Sequence, residues 1–105
     1  MTTGILGRAT LSSGVDTVIY TVPIGKQTVC TINLCNPKNK SCSFRIALSA
    51  GNVPSAGDWI EYDCSLAANS AMNRAGIVLN AGTRIIIRSD NNETNIVVWG
   101  YEEGI

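Results

Sequence analysis

The sequence predicts an all-β fold: a single antiparallel β-sandwich of about eight strands. Short runs rich in Val, Ile, Thr and aromatic residues recur along the chain, and each is bounded by residues that favour turns. No segment of convincing length has the apolar spacing of an amphipathic helix. A length of 105 residues is usual for one domain, so we expect 1–105 to form one sandwich around one core.

The candidate strands follow one another through short connections. They span 4–10, 15–22, 27–35, 42–49, 58–64, 72–79, 83–89 and 95–102. Each connection contains Gly, Pro, Asn, Asp or Ser, which either tolerate positive φ or fix φ for a turn. This number of strands suits a jelly-roll-like sandwich, with an immunoglobulin-like sandwich as the alternative, and periodicity does not separate the two.

Alternation of apolar and polar residues indicates which strand faces are buried. The strands 27–35 and 42–49 alternate regularly, so each has one dry and one wet face. In contrast, 18–20, 85–87 and 96–99 are apolar without a break, and a strand that is apolar on both faces must be covered on both. We expect the second face to be buried against another copy in a closed ring, or else to be wrapped by the chain's own termini and loops.

The candidate interface consists of large apolar and aromatic side chains. They are Ile19, Ile86, Val97, Trp99, Trp59 and Tyr101. Aromatic residues supply much of the energy of protein interfaces because each buries a large area. If these side chains form a subunit contact, replacing Ile86 or Val97 by Asp should leave a soluble but monomeric domain.

Composition argues against several functions. Eight basic and eight acidic residues give no net charge, so no overall field attracts the chain to nucleic acid or an anionic membrane. A neutral protein repels its own copies weakly, which suits a subunit of an assembly. No apolar stretch approaches the roughly 20 residues of a membrane span, and residues 1–4 lack the order of a signal peptide. We therefore expect synthesis and folding in a cytosol.

The four cysteines stand at 30, 35, 42 and 64. Their spacing is unlike that of zinc sites and the chain has no histidine, so we expect no metal. Pairing the dry faces of 27–35 and 42–49 as neighbouring strands places Leu34 opposite Phe44. That register puts Cys35 and Cys42 on opposite sides of the sheet, so they cannot form a disulfide unless a bulge intervenes. All except Cys35 are expected to fill small core spaces.

The segment 58–63 (DWIEYD) is the strongest candidate for a catalytic or metal-binding site. Regular alternation places Trp59, Glu61 and Asp63 on one strand face. A glycosidase needs two carboxylates on opposite sides of a sugar, and calcium needs several converging oxygens, whereas these two carboxylates lie side by side. With no histidine and no recognisable nucleophile motif, we expect no catalytic residues, no cofactor and no enzymatic activity.

Several stretches resemble segments of small structural proteins of tailed bacteriophages. They are 19–26 (IYTVPIGK), 33–36 (NLCN), 58–63 (DWIEYD), 76–82 (GIVLNAG) and 98–103 (VWGYEE), in an order that covers most of the chain. The resemblance implies a jelly-roll-like or related β-sandwich on a virion. Such domains are capsid cement (decoration) subunits, often homotrimers, or parts of tail fibres and adaptors. It implies no catalytic residues.

Among these virion positions, we expect the capsid. A fibre subunit usually carries a second module such as a coiled-coil shaft, and this sequence shows none. The implied partners are the major capsid protein and other copies of the chain, in a homotrimer, with no nucleic acid or membrane, and the implied location is the virion surface. One alternative is a tail component, that is, an adaptor, fibre or baseplate domain. Another is a carbohydrate-binding module that uses Trp59 and Tyr62.

Overall fold

A computed structural model describes residues 3–104, which form eight strands. The strands are β1 (Thr3–Thr10), β2 (Thr17–Thr21), β3 (Lys26–Asn36), β4 (Cys42–Ser49), β5 (Trp59–Leu66), β6 (Ser70–Leu79), β7 (Arg84–Ser89) and β8 (Asn95–Gly104). The predicted all-β class is confirmed, and every strand lies within two residues of its predicted bounds. No helix long and apolar enough to cross a bilayer occurs between residues 3 and 104.

The strands form two four-stranded antiparallel sheets. Sheet A has the order β1-β8-β3-β6, and sheet B has the order β2-β7-β4-β5. The first strand pairs with the last, the second with the seventh, the third with the sixth and the fourth with the fifth. This is a long hairpin rolled up on itself, the arrangement of a jelly roll, whereas an immunoglobulin-like sandwich divides its strands differently.

Consecutive strands β3 and β4 lie in different sheets. The expectation that they pair side by side, with Leu34 opposite Phe44, is therefore wrong. Both side chains are buried in the common core, each contributed by a different sheet. Alternation shows correctly which face of a strand is buried. It does not show which strand lies beside it in the sheet.

The inward side chains of the two sheets make one apolar layer. Sheet A contributes Cys30, Ile32, Leu34, Ile77, Leu79, Ile96 and Val98, and sheet B contributes Tyr20, Cys42, Phe44, Ile46, Leu66, Ile85 and Ile87. The alternation predicted for β3 is confirmed, because its even-numbered positions are those that enter this layer. Burial of such side chains stabilises the fold by about 1.5–3 kcal/mol each.

A buried cluster of hydroxyl and carboxyl groups joins the two sheets. The Tyr20 hydroxyl, from β2, donates to Glu102 Oε2 at 2.5 Å and lies 2.8 Å from Thr28 Oγ1. Thr28 and Glu102 belong to β3 and β8 of sheet A, and both are buried. Burial and the hydrogen bond to Glu102 raise the pKa of Tyr20 to about 12. The neutral phenol is therefore the form that the fold stabilises.

Replacing Tyr20 by Phe should reduce the loss of stability at alkaline pH. Since its folded pKa of about 12 exceeds the ordinary 10.0, the unfolded chain loses this proton first. The stabilising contribution is complete below pH 10.0 and is lost as the pH rises through about 12. At neutral pH we expect the variant to be less stable by about 1–3 kcal/mol, because Glu102 loses its donor.

Urea unfolding of both proteins from neutral to alkaline pH measures this difference. The gap between wild type and Tyr20→Phe should narrow above pH 10.0. Tyr62→Phe, at an exposed tyrosine, is the matched control and should follow the wild type throughout. Parallel curves for wild type and Tyr20→Phe over the whole range would contradict the assignment.

Candidate protein-interaction surface

The outer face of sheet A carries a cluster of apolar side chains. Four of its large side chains remain exposed: Ile5 at 54%, Val78 at 68%, Trp99 at 38% and Tyr101 at 39%. Val29 and Val97 lie on the same face and are half-buried. We call these six residues the sheet A surface. Contiguous exposed apolar area on a small domain is uncommon and marks sites of interaction.

Strand register explains how residues distant in sequence form one surface. Ile5 of β1 pairs with Trp99 of β8, and Tyr101 pairs with Val29 of β3. Val29 in turn pairs with Val78 of β6. Because paired residues in a sheet point to the same side, these pairs form two adjacent rows across it.

A close approach of two strands fixes the positions of Trp99 and Tyr101. Gly100, between them, has φ 155°, and a Cβ at this position would lie 2.0 Å from the Val29 carbonyl oxygen and 2.7 Å from Cys30 Cα. Only glycine allows the backbones of β8 and β3 to come so close. The two aromatic side chains therefore flank a site where the register cannot easily shift.

Charged residues lie only at the ends of the sheet A surface. Its six members carry no charge; Arg8 pairs with Val97 at one end, and Glu103 follows Tyr101 by two residues at the other. An apolar, aromatic centre with a polar rim is the usual composition of a protein–protein contact. A nucleic acid or an acidic surface would need a cluster of cations here.

Three of the predicted interface residues are brought together on this surface: Val97, Trp99 and Tyr101. Sequence reasoning missed Ile5, Val29 and Val78. Val78 had a local signal, since it alternates with the buried Ile77 and Leu79 of β6. The signal did not reveal that this outward residue lies in the same row as Tyr101, because that depends on the strand order.

The other three predicted interface residues lie in sheet B. Ile19 is the extra residue of a bulge in β2, and it packs partly against the core. Ile86 is not exposed at all, although it points away from the core residues Ile85 and Ile87. Of the two covers expected for this second face of β7, another copy or the chain itself, the chain itself supplies the one over Ile86.

The cover over Ile86 comes from its setting in sheet B. Val18 and Ala47 pair with it from the strands on either side. Arg84 and Arg88, two residues before and after it, lie on the same face by alternation, and aliphatic stems of arginines can shield apolar groups. Ile86 is thus fully buried on the outer side of sheet B and offers no surface to a partner.

Trp59 is half-buried on the outer face of sheet B beside Ala47, its partner in β4. The Arg45 guanidinium carbon lies 4.1 Å from the ring centre of Tyr62 and 5.8 Å from that of Trp59. The two rings meet edge to face at 5.3 Å and 75°. They therefore do not form the flat platform that a simple sugar-stacking site requires.

The expectation that Trp59, Glu61 and Asp63 share one face is wrong. Two bulges interrupt the pairing of β5 with β4, and Asp63 has φ 53°. Glu61 instead accepts from Arg74 Nη1 of β6 at 2.5 Å. Asp63 accepts from Arg45 Nε at 2.6 Å and Nη2 at 3.2 Å, and this pair holds the pKa of Asp63 below its usual value.

All four cysteines are free thiols. Cys30 and Cys42 are buried in the core and Cys64 packs partly against it, whereas Cys35 is half-buried outside it. Burial raises the pKa of Cys30 to about 11, which keeps that thiol protonated and unreactive. No group of three Cys, Asp or Glu side chains suited to a metal is found within residues 3–104.

Comparison with known proteins assigns no family. No family model matches the chain, and no curated protein matches it.

Replacing Ile86 by Asp should destabilise the fold of the domain and not merely break a contact between subunits. Burying a carboxylate in place of an apolar side chain should lower the free energy of unfolding by at least about 3 kcal/mol. Val18→Asp is the matched control, since Val18 is the strand partner of Ile86 and is 40% exposed. Its effect should be about 1 kcal/mol.

Urea unfolding followed by tryptophan fluorescence compares the two variants. An Ile86→Asp protein with near-wild-type stability and a changed oligomeric state would contradict the burial argument and restore this residue to the interface.

Proposed function

We propose that this chain is a non-enzymatic structural protein of a virion, a capsid cement (decoration) subunit that binds and stabilises the assembled shell. The sheet A surface is the observation that carries the proposal. Its exposed apolar side chains suit a contact with another protein, and it has none of the polar groups of a catalytic site. The resemblance of the stretches between 19 and 103 to structural proteins of tailed phages supports it. The jelly roll is also a fold that this resemblance implies.

We assign the sheet A surface to contacts between copies of the chain in a homotrimer. The surface has no charge that would select a charged partner, and the chain as a whole has no net charge to keep its copies apart. A second copy offers the same apolar rows. Three copies that turn this face toward a common axis would remove Trp99, Tyr101 and Val78 from water in one closed assembly.

The major capsid protein is the proposed second partner. A trimer presents three identical sets of shell contacts, so that weak individual contacts add up to strong binding. A subunit that binds only the assembled shell stabilises that state by mass action in proportion to its binding free energy. No catalytic group is needed for this role.

The tail-component alternative uses the same fold and the same surface. Adaptor rings and fibre or baseplate domains are also assembled from copies around an axis. The two functions differ in the number of copies per particle, because a capsid has many equivalent binding positions and a tail has one axis.

Replacing Val78 by Asp should convert the trimer into a folded monomer. Because Val78 is 68% exposed, the substitution should leave the free energy of unfolding within about 1 kcal/mol of wild type. In the assembly it would place a carboxylate in each copy of an apolar contact, which association cannot easily desolvate. Sedimentation velocity at matched concentrations measures the change.

Ile24→Asp is the control for this experiment, since Ile24 is 96% exposed in the connection between β2 and β3 and lies outside the sheet A surface. It should sediment as the wild type does. A monomeric wild-type protein, or a Val78→Asp protein that remains trimeric, would overturn the assignment of this surface.

Purified virions from the genome that encodes the chain should contain it in numbers comparable with the major capsid protein. Quantitative mass spectrometry gives the ratio. Copies on the order of hundreds support the capsid position, and a few tens or fewer would place the protein in the tail. Absence from purified particles would refute the virion proposal altogether. Particles made without the protein should also release their DNA at lower temperature.

A further inference from the structure

A polar cleft lies on the outer face of sheet B, at the end where the 11–16 and 90–94 connections meet. Its volume is about 360 Å³. It is lined by Ser13, Gly14, Ser43, Arg45, Asp63, Arg88, Ser89 and Asp90. A cleft of this size is in the range of small-molecule sites.

Hydrogen bonds hold the walls of the cleft in place. Asp90 Oδ1 accepts from the Ser43 backbone N–H at 2.9 Å, and the Asp90 carbonyl accepts from Ser13 Oγ at 2.9 Å. The Gly14 N–H donates to the Ser89 carbonyl at 2.8 Å. Three separate parts of the chain are thus fixed without a ligand, so binding would require little ordering of the protein.

Buried polar contacts brace the 90–94 connection from behind. Ser89 and Thr94 are buried, and their hydroxyl oxygens lie 3.0 Å apart. Asn91 Oδ1 accepts from Thr94 Oγ1 at 2.5 Å, and Asn91 Nδ2 donates to the buried Asn36 Oδ1 at 3.4 Å. The position of Asp90 at the edge of the cleft is therefore set by the core and not by a free loop.

Several polar groups in the cleft have no hydrogen-bond partner within residues 3–104. The Arg88 guanidinium makes only a 3.7 Å ion pair with Asp16. The Ser43 hydroxyl and Asp90 Oδ2 make no hydrogen bond with the described part of the chain. A rigid fork of donors, a hydroxyl and an acceptor oxygen therefore line one small cleft without being engaged by the described part of the chain.

Charge within the cleft is balanced. Arg45 and Arg88 are matched by Asp63 and Asp90, and Asp16 lies beside Arg88. An anion such as phosphate would meet two arginines but also three carboxylates, once Asp16 is counted. A neutral ligand with many hydroxyl groups meets no such conflict, because each hydroxyl both donates and accepts. Tyr62, stacked on Arg45 and 55% exposed, adds aromatic surface at the rim.

We propose that this cleft binds a neutral mono- or disaccharide. Arg88 donates to adjacent sugar hydroxyls, Asp90 Oδ2 accepts from one, and the Ser43 hydroxyl completes the set. Since Trp59 and Tyr62 meet edge to face, recognition depends on these polar groups and not on a two-ring platform. The cleft and the sheet A surface lie on opposite outer faces of the sandwich, so sugar binding stays possible when that surface is covered.

Amide-detected NMR titration of the full chain tests the site. The probes are glucose, galactose, mannose, rhamnose, N-acetylglucosamine and N-acetylgalactosamine, together with their common disaccharides. N-acetylneuraminic acid and inorganic phosphate serve as anionic probes. At least one neutral sugar should give saturable shifts at the amides of Ser13, Ser43, Asp63 and Asp90.

Two variants separate this site from adventitious contact. Arg88→Ala should weaken binding of that sugar by about tenfold or more, because it removes charge-assisted hydrogen bonds. Ser43→Ala, a smaller change, should weaken it several-fold without altering the fold. Arg74→Ala is the matched control, as Arg74 is an exposed arginine that pairs with Glu61 outside the cleft. It should bind as the wild type does.

The proposal is overturned if no neutral sugar produces shifts, if only the anionic probes do, or if the shifts map to another surface. Equal binding by wild type, Arg88→Ala and Ser43→Ala would also overturn it. The result is independent of the capsid proposal. Val78→Asp should retain sugar binding while losing the trimer. Arg88→Ala should remain trimeric while its sugar binding is weakened.

Discussion

The insertion of β8 between β1 and β3 is the constraint on which the rest of the structure depends. In this register Ile96 and Val98 enter the core, and Trp99 and Tyr101 lie on the outer face. A slip of one residue would exchange the two sets, exposing core side chains and burying the aromatic ones. Gly100 opposes such a slip, since its backbone lies too close to Val29 for any other residue. The core and the proposed contact surface are therefore two results of one strand pairing.

Long-range pairing has consequences for how the domain forms. The strand β1 pairs with β8, and β2 pairs with β7. Because these partners are far apart in sequence, β1 and β2 cannot pair until most of the chain has been synthesised. Such topologies fold slowly because loop closure precedes the contacts that stabilise it. The Tyr20–Glu102 hydrogen bond depends on the same long-range pairing, since it joins β2 of one sheet to β8 of the other.

The two outer faces differ in how much apolar surface they expose, because their polar side chains differ in length. On sheet B, Ile86 lies between Arg84 and Arg88 along β7, and long stems on the same face can cover it. On sheet A, Trp99 pairs with Thr31, a side chain too short to cover an indole. The first face is thus self-covered and charged, with a polar cleft, whereas the second remains apolar. This difference is the reason why we propose assembly for one face and a small ligand for the other.

Much of this was determined by the sequence alone. Turn residues and period-two alternation gave the strands and the dry faces of β3 and β4, because both signals act between residues close in the chain. The apolar run 96–99 also singled out Val97 and Trp99, which lie on the outer face of sheet A. The tertiary structure alone decided which strands pair, which is why Leu34 and Phe44 lie in opposite sheets and Ile5 and Val78 join the surface. It also decided the bulges that turn Glu61 away from Asp63, and the covering of Ile86. Alternation records the polarity of each side chain but not its neighbours across the sheet, and those neighbours determine whether an outward apolar residue is buried or free.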